Sequence, residues 1–257
     1  KTAYEISLGL VGSEMCIRDS KPAPSNTGLV FIREDIDGDN FIQAHIKHIS
    51  NTDRGTNLDN GSFRIHTSEH VLAALTGLDI DNCYICLNGA EVPIMDGSSK
   101  FFIEAIEKAK IVEQNALREE FFPDEIISYV CEESGSKISV IPDESYSVDT
   151  KVDYDTKVLG TQTAILNDIS EFKNEISSAR PFSFLHELET LLENTPYILN
   201  AEAFCFPEGT LGINILEKKP LVMIQGDNSY YLDNFGSEFP VSESYSPLIP
   251  IYNGELN

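Results

Sequence analysis

The sequence predicts an α+β protein, built from two-layer sandwich domains and followed by a β-rich C-terminal segment. Two short apolar runs, GLVFIRE (28–34) and NCYICLN (82–88), predict strands. A helix is predicted from Ser68 to about Leu78, because apolar residues recur there at helical spacing, at Val71, Leu72, Ala74, Leu75 and Leu78. Strands that lead into a helix, a strand, a loop and a second helix describe one layer of an α+β sandwich.

Residues 21–115 supply the first of these domains. The run FIQAHIKHIS (41–50) alternates apolar and polar residues imperfectly and favours a further strand. Thr67 or Ser68 can cap the first helix, and Gly77 lies near its end. The run FFIEAIEKAKIVE (101–113) predicts the second helix.

Residues 116–193 predict a second, truncated domain of the same kind, and residues 194–257 predict the β-rich segment. Strands are expected where apolar runs alternate with Gly and Asp-Glu turns, at 125–133, 136–143 and 146–154. The stretch 171–194 is helical in pattern at both ends, and Pro181 in its middle should break it. Four more apolar runs, separated by Gly, Pro and Asn turns, lie at 201–206, 210–217, 220–226 and 229–236.

The composition excludes several classes of partner. The chain has 42 acidic and 18 basic residues, a net charge of −24, which should repel nucleic acid and anionic membranes. No run of 18 apolar residues is present, so no membrane span is predicted, and we expect a cytoplasmic protein. Five scattered cysteines favour a reducing compartment. Cys83 and Cys86, three apart on a strand, should point to opposite faces as core residues.

The first twenty residues, KTAYEISLGLVGSEMCIRDS, fit poorly with the rest of the chain. They lack the charged start, long apolar core and small-residue cleavage site of a signal peptide. They resemble translated adapter sequence, so we predict that residues 1–20 are a non-native leader outside the fold.

The stretch with the clearest catalytic chemistry is His66–His70, which reads HTSEH. Glu69 and His70 belong to the first helical turn, where free N–H groups and the positive helix end favour anionic ligands. A catalytic zinc needs three protein ligands, an open position for water and a carboxylate that takes the proton of that water. Glu69 and His70 offer one base and one ligand. The string also matches the H-x-x-E-H zinc proteases, although these need both histidines on one helix and His66 precedes it.

Two longer runs carry a family resemblance. SEHVLAALTGLDIDN (68–82), followed by GAEVPIMDGSSKFF (89–102), resembles the zinc-dependent UDP-3-O-acyl-N-acetylglucosamine deacetylase (LpxC) family. That family carries a T-V-E-H-x-x-A-A-L-x-G-L-x-I-D-N run and then a P-E-[IV]-P-I-x-D-G-S run. KPAPSNTGLVFIRED (21–35) and ISSARPFSFLHELE (176–189) are similar to other parts of it. The resemblance spans about residues 21–193.

The resemblance implies a fold, a reaction and roles for three residues. The active site would lie between two α+β layers, with Glu69 as general base, His70 as a Zn²⁺ ligand and Phe182 lining the substrate region. The substrate would be a UDP-sugar lipid precursor of lipid A, and hydrolysis of its 2-acetamido group would release acetate. The family has Thr where this chain has Pro181, which offers neither a hydroxyl nor an N–H to an oxyanion.

The remaining zinc ligands of the family come from a later H-K-x-x-D-x-x-G-D helix that this chain does not contain. His186 and Glu189 stand three apart on a predicted helix, but they are a weak substitute for such a pair. The resemblance therefore implies an incomplete metal site and a low deacetylase activity for the chain as written.

The tail carries a second, shorter resemblance. ENTPYILNAEAF (193–204), SYYLDNFGSEFP (229–240) and SPLIPIYNG (246–254) are similar to the cell-division protein FtsQ over about residues 190–257. This implies an alternative function as a non-catalytic module that binds cell-division proteins through exposed strand edges. It also suggests that the chain is a join between a deacetylase core and an FtsQ-like tail.

Overall fold

The computed structural model describes residues 17–52, 55–109, 111–118, 120–206, 210–226, 228–242 and 246–253. The chain divides into two units, Lys1–Pro181 and Phe182–Asn257. The sequence had placed this boundary at residue 193. The structure places it earlier, because the helix Leu185–Glu193 packs against the strand Ile198–Cys205 that comes after it.

The first unit contains most of the secondary structure. Its helices are α1 (Glu69–Gly77), α2 (Lys100–Ala109) and the short α3 (Phe172–Glu175), with 3-10 turns at Ile46–His48 and Ile169–Glu171. Its strands are β1 (Ile17–Pro22), β2 (Leu29–Arg33), β3 (Phe41–Gln43), β4 (Ile49–Asn51), β5 (Asn57–Asp59), β6 (Arg64–Ile65), β7 (Cys83–Leu87), β8 (Ile127–Val130), β9 (Lys137–Val140), β10 (Val148–Asp153) and β11 (Thr161–Leu166). The α+β class is confirmed.

A four-stranded sheet in the order β1-β7-β2-β3 forms the framework of this unit. β2 runs parallel to β7, whereas β1 and β3 are antiparallel to their neighbours. β1 begins at Ile17, so the prediction that residues 17–20 lie outside the fold was wrong; residues 1–16 lie outside the described part. The sequence IRDSKP has no apolar alternation, and its pairing with β7 rests on backbone hydrogen bonds.

One hydrophobic core joins this sheet to α1 and α2. Its most deeply buried side chains are Phe31, Ile42, Leu58, Ile65, Val71, Ala74, Leu75, Ile80, Cys83, Ile85, Leu87, Val92, Phe102, Ile103 and Ile106. Cys83 belongs to this core, while the equally buried Cys86 is on the other face of β7, as predicted. The four described cysteines form no disulfide with one another.

The predicted strand at 41–50 is only partly present. Phe41–Gln43 pairs with β2, but Ile46–His48 forms a 3-10 turn and Ile49–Asn51 joins a separate sheet in the order β4-β5-β6. The backbone changes direction where the Nδ1 atom of His45 accepts a hydrogen bond from the Lys47 amide, over 3.1 Å. Imperfect alternation in the sequence therefore marks a break between two strands.

The C-terminus of α1 is closed by backbone hydrogen bonds. The amide of Ile80 donates to the Leu75 carbonyl and that of Asp79 donates to the Thr76 carbonyl, which is the Schellman arrangement. Asp79 takes the left-handed conformation that this motif requires (φ 62°). Arg118 then bridges Asp79 and Asp81 with nitrogen–oxygen distances of 2.6 and 2.8 Å. The LDIDN run thus ends the helix and anchors the chain that leaves α2.

The strands after α2 do not form the packed second layer that the sequence predicted. β8 pairs with β9 and β10 pairs with β11, as two separate antiparallel hairpins. Every residue of β8, β9 and β10 is exposed, and Leu166 is the one buried residue of β11. Strand formation depends on local sequence, whereas a layer needs a partner that covers one face.

The second unit begins with α4 (Leu185–Glu193) and continues with strands. They are β12 (Ile198–Cys205), β13 (Leu211–Glu217), β14 (Val222–Gln225), β15 (Tyr230–Leu232), β16 (Glu238–Pro240) and β17 (Ile251–Asn253). β12 and β13 form a hairpin, and the others form a sheet in the order β16-β15-β14-β17. Ile224, Tyr231 and Phe239 are buried in that sheet. The break of the predicted helix at Pro181 and the β-rich tail are confirmed.

Two neighbouring phenylalanines in α2 test the position of the core. Phe102 is 0% exposed and Phe101 is 41% exposed. We expect Phe102→Ala to lower the free energy of unfolding by about 3–5 kcal/mol, because it leaves a cavity in the core. The same change at Phe101 should cost well under half of that, and urea unfolding measures both. Equal losses at the two positions would contradict the described packing.

Candidate active site at the start of helix α1

The segment Gly55–Asn57 holds the start of α1 in place. The carbonyl of Thr56 accepts two hydrogen bonds from Ser68, one from its amide over 3.1 Å and one from its hydroxyl over 2.8 Å. Ser68 is the N-cap residue and is fully buried, but its hydroxyl is turned to Thr56 and does not cap the helix. The helix start is thus held by contacts with a segment more than ten residues earlier in the chain.

Glu69 is oriented by the same segment. Its Oε2 atom accepts a hydrogen bond of 2.7 Å from the Thr56 amide. Its Oε1 atom lies 3.7 Å from Nε2 of the mostly buried His70. A Cβ atom at residue 55 would lie 3.1 Å from Oε1, so Gly55 allows the backbone to approach this carboxylate closely. The structure therefore brings the predicted base and the predicted zinc ligand together at the helix N-terminus.

His66 lies outside the helix. It forms a parallel bridge with Glu91: its amide donates to the Ala90 carbonyl, and its carbonyl accepts from the Val92 amide. Its Nδ1 atom is 3.1 Å from Oδ1 of Asn57. Since α1 begins at Glu69, the two histidines do not share a helix, and the geometry of the H-x-x-E-H zinc proteases is not formed.

An open, polar pocket of about 350 Å³ lies beside this turn. It is lined by Gly55, Asn57, His66, Thr67 and Glu91. Thr67 has a left-handed backbone (φ 59°), and its hydroxyl donates to Oε1 of Glu91 over 3.0 Å. Sequence reasoning did not single out Thr56 or Asn57. Thr56 acts through its backbone, and nothing in its side-chain type could have signalled that.

The run GAEVPIMDGSSKFF (89–102) contacts the stretch ISSARPFSFLHELE (176–189) at a second place in the first unit. Asp96, in the GAEVPIMDGSS run, lies 2.6 Å from Nη2 of Arg180 and accepts hydrogen bonds from the amide and hydroxyl of Ser98. Ser98, chiefly, and Arg180 hold the pKa of the Asp96 carboxyl below its ordinary value. Gly97 has a φ of 80°, and a Cβ atom there would lie 3.1 Å from Cδ of Pro181.

Phe182 belongs to the second unit, and its role as a substrate contact remains a prediction. Its ring is 57% exposed and meets the Phe184 ring edge-on, with the centroids 5.6 Å apart. The ring of His186 stacks on Phe184. Glu189 accepts a hydrogen bond from the Ala203 amide over 2.8 Å. Glu189 thus holds β12 against α4, and the structure does not favour it as a substitute zinc ligand.

The described residues fall short of a complete zinc site. Within the described ranges, no group of three His, Cys, Asp or Glu side chains is placed to hold a metal ion. A catalytic zinc needs three protein ligands. Among the described residues, His70 can supply one of these three ligands, and Glu69 lies beside it. The described helices also include none that is long and apolar enough to cross a membrane.

Comparison with known proteins identifies the family. A family model described as UDP-3-O-acyl N-acetylglycosamine deacetylase (LpxC) matches residues 6–201. The chain belongs to this family. The match includes residues 6–20, part of the predicted leader, and it extends past the predicted end of the deacetylase-like region at residue 193. The adapter origin of the leader and the FtsQ likeness of the tail remain predictions.

Named relatives agree with the family match. The chain is 39% identical to a bifunctional enzyme LpxC/FabZ of Bacteroides thetaiotaomicron over 66% of its own length and 37% of that protein. It is 42% identical to the bifunctional LpxC/FabZ of Chlorobaculum tepidum over 73% of its length and 41% of that protein. It is 37% identical to a UDP-3-O-acyl-N-acetylglucosamine deacetylase of Acidithiobacillus ferrooxidans over 72% and 61%. The chain thus spans about two fifths to three fifths of these relatives.

The contact between Asp96 and Arg180 predicts a pH-dependent stability. Because the pKa of Asp96 is lowered in the folded chain, its contribution is present above its ordinary value of 3.8 and is lost as the pH falls through the lowered value. We expect Asp96→Asn to reduce the free energy of unfolding at pH 7 and to differ less from the parent chain as the pH approaches 3.

Urea unfolding at a series of pH values checks this, with Asp124→Asn as control. Asp124 is exposed, and the described residues give it no ion pair. A stability difference at Asp96 that stayed constant from pH 7 to pH 3 would contradict the assignment.

Proposed function

We propose that this chain carries the base and the first zinc ligand of a UDP-3-O-acyl-N-acetylglucosamine deacetylase, which hydrolyses the 2-N-acetyl group of a UDP-sugar lipid precursor of lipid A. The observation that carries the proposal is the pairing of Glu69 with His70 at the start of α1, 3.7 Å apart. Membership of the family and the name of the Acidithiobacillus relative support it. For a chain that acts on this UDP-sugar precursor, we expect the cytoplasm as its location.

Glu69 acts as the general base. A carboxylate that takes a proton from the attacking water needs a fixed direction and access to that water. The Thr56 amide fixes one oxygen of Glu69, and the other oxygen lies on the side of His70. The side chain is about one third exposed, so water reaches it. The proton taken from water then passes to the amine that leaves when the amide C–N bond breaks.

His70 acts as the first ligand of Zn²⁺. Its side chain is mostly buried, which limits its rotamers and sets the ring near the helix N-terminus. The family resemblance assigns a zinc ion to this position, but the described residues do not complete the ligand set. We therefore expect the chain to bind zinc weakly and to hydrolyse the substrate slowly.

Pro181 is a second reason to expect slow turnover. An oxyanion in an acyl-transfer reaction is stabilised by hydrogen-bond donors, and losing one donor typically costs about 10²–10³ in rate. Pro181 has no donor, and its neighbour Arg180 is engaged with Asp96. Phe182 is proposed to contact the substrate on the strength of the family resemblance.

The alternative functions have less support. A zinc protease requires His66 and His70 on one helix, and His66 is in a bridge before α1. A cell-division interaction module rests on the FtsQ likeness of the tail, which the family and relative matches do not favour.

Zinc binding tests the role of His70. We expect His70→Ala to weaken zinc binding at least about tenfold, because it removes the one histidine beside the base, whereas His186→Ala should leave the affinity unchanged. Isothermal titration with zinc alone measures this without any turnover. His66→Ala serves as the second comparison: an equal loss at His66 and His70 would favour the protease-type pair and contradict the proposal.

The rate of acetate release tests the role of Glu69. We expect Glu69→Gln to reduce the slow zinc-dependent rate by about 10²–10⁴, because the amide cannot accept a proton from water. Glu104→Gln, a surface change in α2, is the matched control and should retain the rate. Product formation from the UDP-sugar precursor can be followed by mass spectrometry over long incubations. A Glu69→Gln variant as fast as the parent would overturn the assignment.

A further inference from the structure

The pocket beside the start of α1 adjoins the carboxylate of Glu69. Its volume is about 350 Å³, and its described lining residues are Gly55, Asn57, His66, Thr67 and Glu91. A Cβ atom at residue 55 would lie 3.1 Å from Oε1 of Glu69, so the pocket wall at Gly55 lies next to the proposed base. A molecule that brings a reacting group to Glu69 can therefore extend into this pocket.

His66 offers a hydrogen-bond acceptor to the pocket. Its Nδ1 atom lies 3.1 Å from Oδ1 of Asn57. Because an amide oxygen only accepts, the shared hydrogen belongs to Nδ1, and Nε2 of the neutral ring keeps its lone pair. Nε2 has no hydrogen-bond partner among the residues that the structure describes. Asn57 thus fixes the ring so that one acceptor remains for a ligand.

Glu91 supplies a second acceptor beside the first. Its backbone forms the parallel bridge with His66, which places the two residues side by side. Its Oε1 atom accepts from the Thr67 hydroxyl over 3.0 Å, and Oε2 has no partner within the described part of the chain. Thr67 has a left-handed backbone (φ 59°), which is unfavourable for a β-branched residue and must be held by its surroundings. The contact with Glu91 therefore joins the turn before α1 to the pocket wall.

Two acceptors in a small polar pocket favour a ligand that donates hydrogen bonds. Ligand pockets measure roughly 300–1,000 Å³, so a pocket of about 350 Å³ suits one sugar ring better than a whole nucleotide sugar. The described lining has one carboxylate and no lysine or arginine, which disfavours a diphosphate. It also has no large apolar side chain, which disfavours an acyl chain. The sugar hydroxyl groups are the part of the proposed substrate that matches this chemistry.

We propose that His66 and Glu91 bind the free C4 and C6 hydroxyl groups of the glucosamine ring, with Nε2 and Oε2 as the acceptors. This assignment rests on the proposed function, because the ring reaches the pocket when its 2-acetamido group lies at Glu69 and His70. C4 and C6 are the ring positions whose hydroxyl groups carry neither the nucleotide nor the acyl chain. The pocket selects the sugar, since a C4 epimer directs its hydroxyl group away from these acceptors.

Isothermal titration with two epimeric probes tests this assignment. The probes are UDP-3-O-acyl-N-acetylglucosamine and its C4 epimer, both with the same acyl chain, and zinc is removed with EDTA so that neither probe is hydrolysed. We expect the chain to bind the glucosamine probe about tenfold more tightly than the epimer, because the epimer loses a hydrogen bond. Equal affinities for the two probes, or no binding of either, would overturn the proposal.

Substitutions in the pocket assign the selectivity to its two acceptors. We expect His66→Phe and Glu91→Ala each to lower the preference for the glucosamine probe, and the double variant to bind the two probes within about twofold of each other. Glu104→Ala, which removes the same charge from the surface of α2, should keep the preference of the parent chain. A preference that survives in the double variant would reject the pocket as its source.

The turnover of Glu69→Gln separates this proposal from the proposed function. A slowed release of acetate in that variant, with equal binding of the two epimers by the parent chain, would reject the sugar pocket and leave the base assignment standing. An unchanged rate in Glu69→Gln, with the epimer preference intact, would reject the base and support the pocket.

Nitrogen NMR of the unmodified chain keeps the test valid if a variant fails to fold. A long-range ¹H–¹⁵N spectrum shows which ring nitrogen carries hydrogen in each of the five histidines. We expect hydrogen on Nδ1 of His66, and an Nε2 signal that moves when the glucosamine probe is added. Hydrogen on Nε2 of the neutral ring, or a signal that the probe does not move, would contradict the proposed contact.

Discussion

The backbone of Thr56 is the constraint on which the candidate site depends. Its carbonyl fixes Ser68 and its amide fixes the Glu69 carboxylate, so one residue sets both the start of α1 and the direction of its first side chain. Gly55 leaves room for this arrangement, because a Cβ atom there would lie 3.1 Å from the same carboxylate. The helix N-terminus adds its free N–H groups and positive dipole end. Glu69 and His70 therefore stand side by side at a helix end that favours negative charge.

Contacts with distant segments also fix the two runs that carry the family resemblance. The first run ends α1 at Asp79, which has a left-handed backbone and an ion pair with Arg118. The second run turns at Gly97, which lies against the Pro181 ring. In both cases a carboxylate, Asp79 or Asp96, is tied to an arginine far along the chain. These contacts position the loops around the core. The core itself comes from residues 31–106 and is complete without the hairpins of the later strands.

Within the first unit, β7 and the hairpins of β8–β11 show why predicted strands led to different structures. β7 is buried on both faces, because α1 and α2 supply amphipathic surfaces that fill the space above its sheet. β8 and β9 alternate apolar residues with Ser128, Lys137 and Ser139, and all their residues are exposed, since no described helix covers them. Periodicity therefore predicted the strands correctly and the second layer wrongly. A layer is a property of two surfaces in contact, which one run of residues cannot specify.

The sequence alone determined the class of fold, the bounds of α1 and β7 to within two residues, the two core cysteines and the pairing of Glu69 with His70, because each depends on local spacing. Only the tertiary structure decided that Ile17 starts a strand, that His66 bridges Glu91 and that the Thr56 amide orients the Glu69 carboxylate. These features rest on backbone groups from distant segments. Every residue except proline carries the same backbone amide and carbonyl, so the partners of these groups become visible only once the chain has folded.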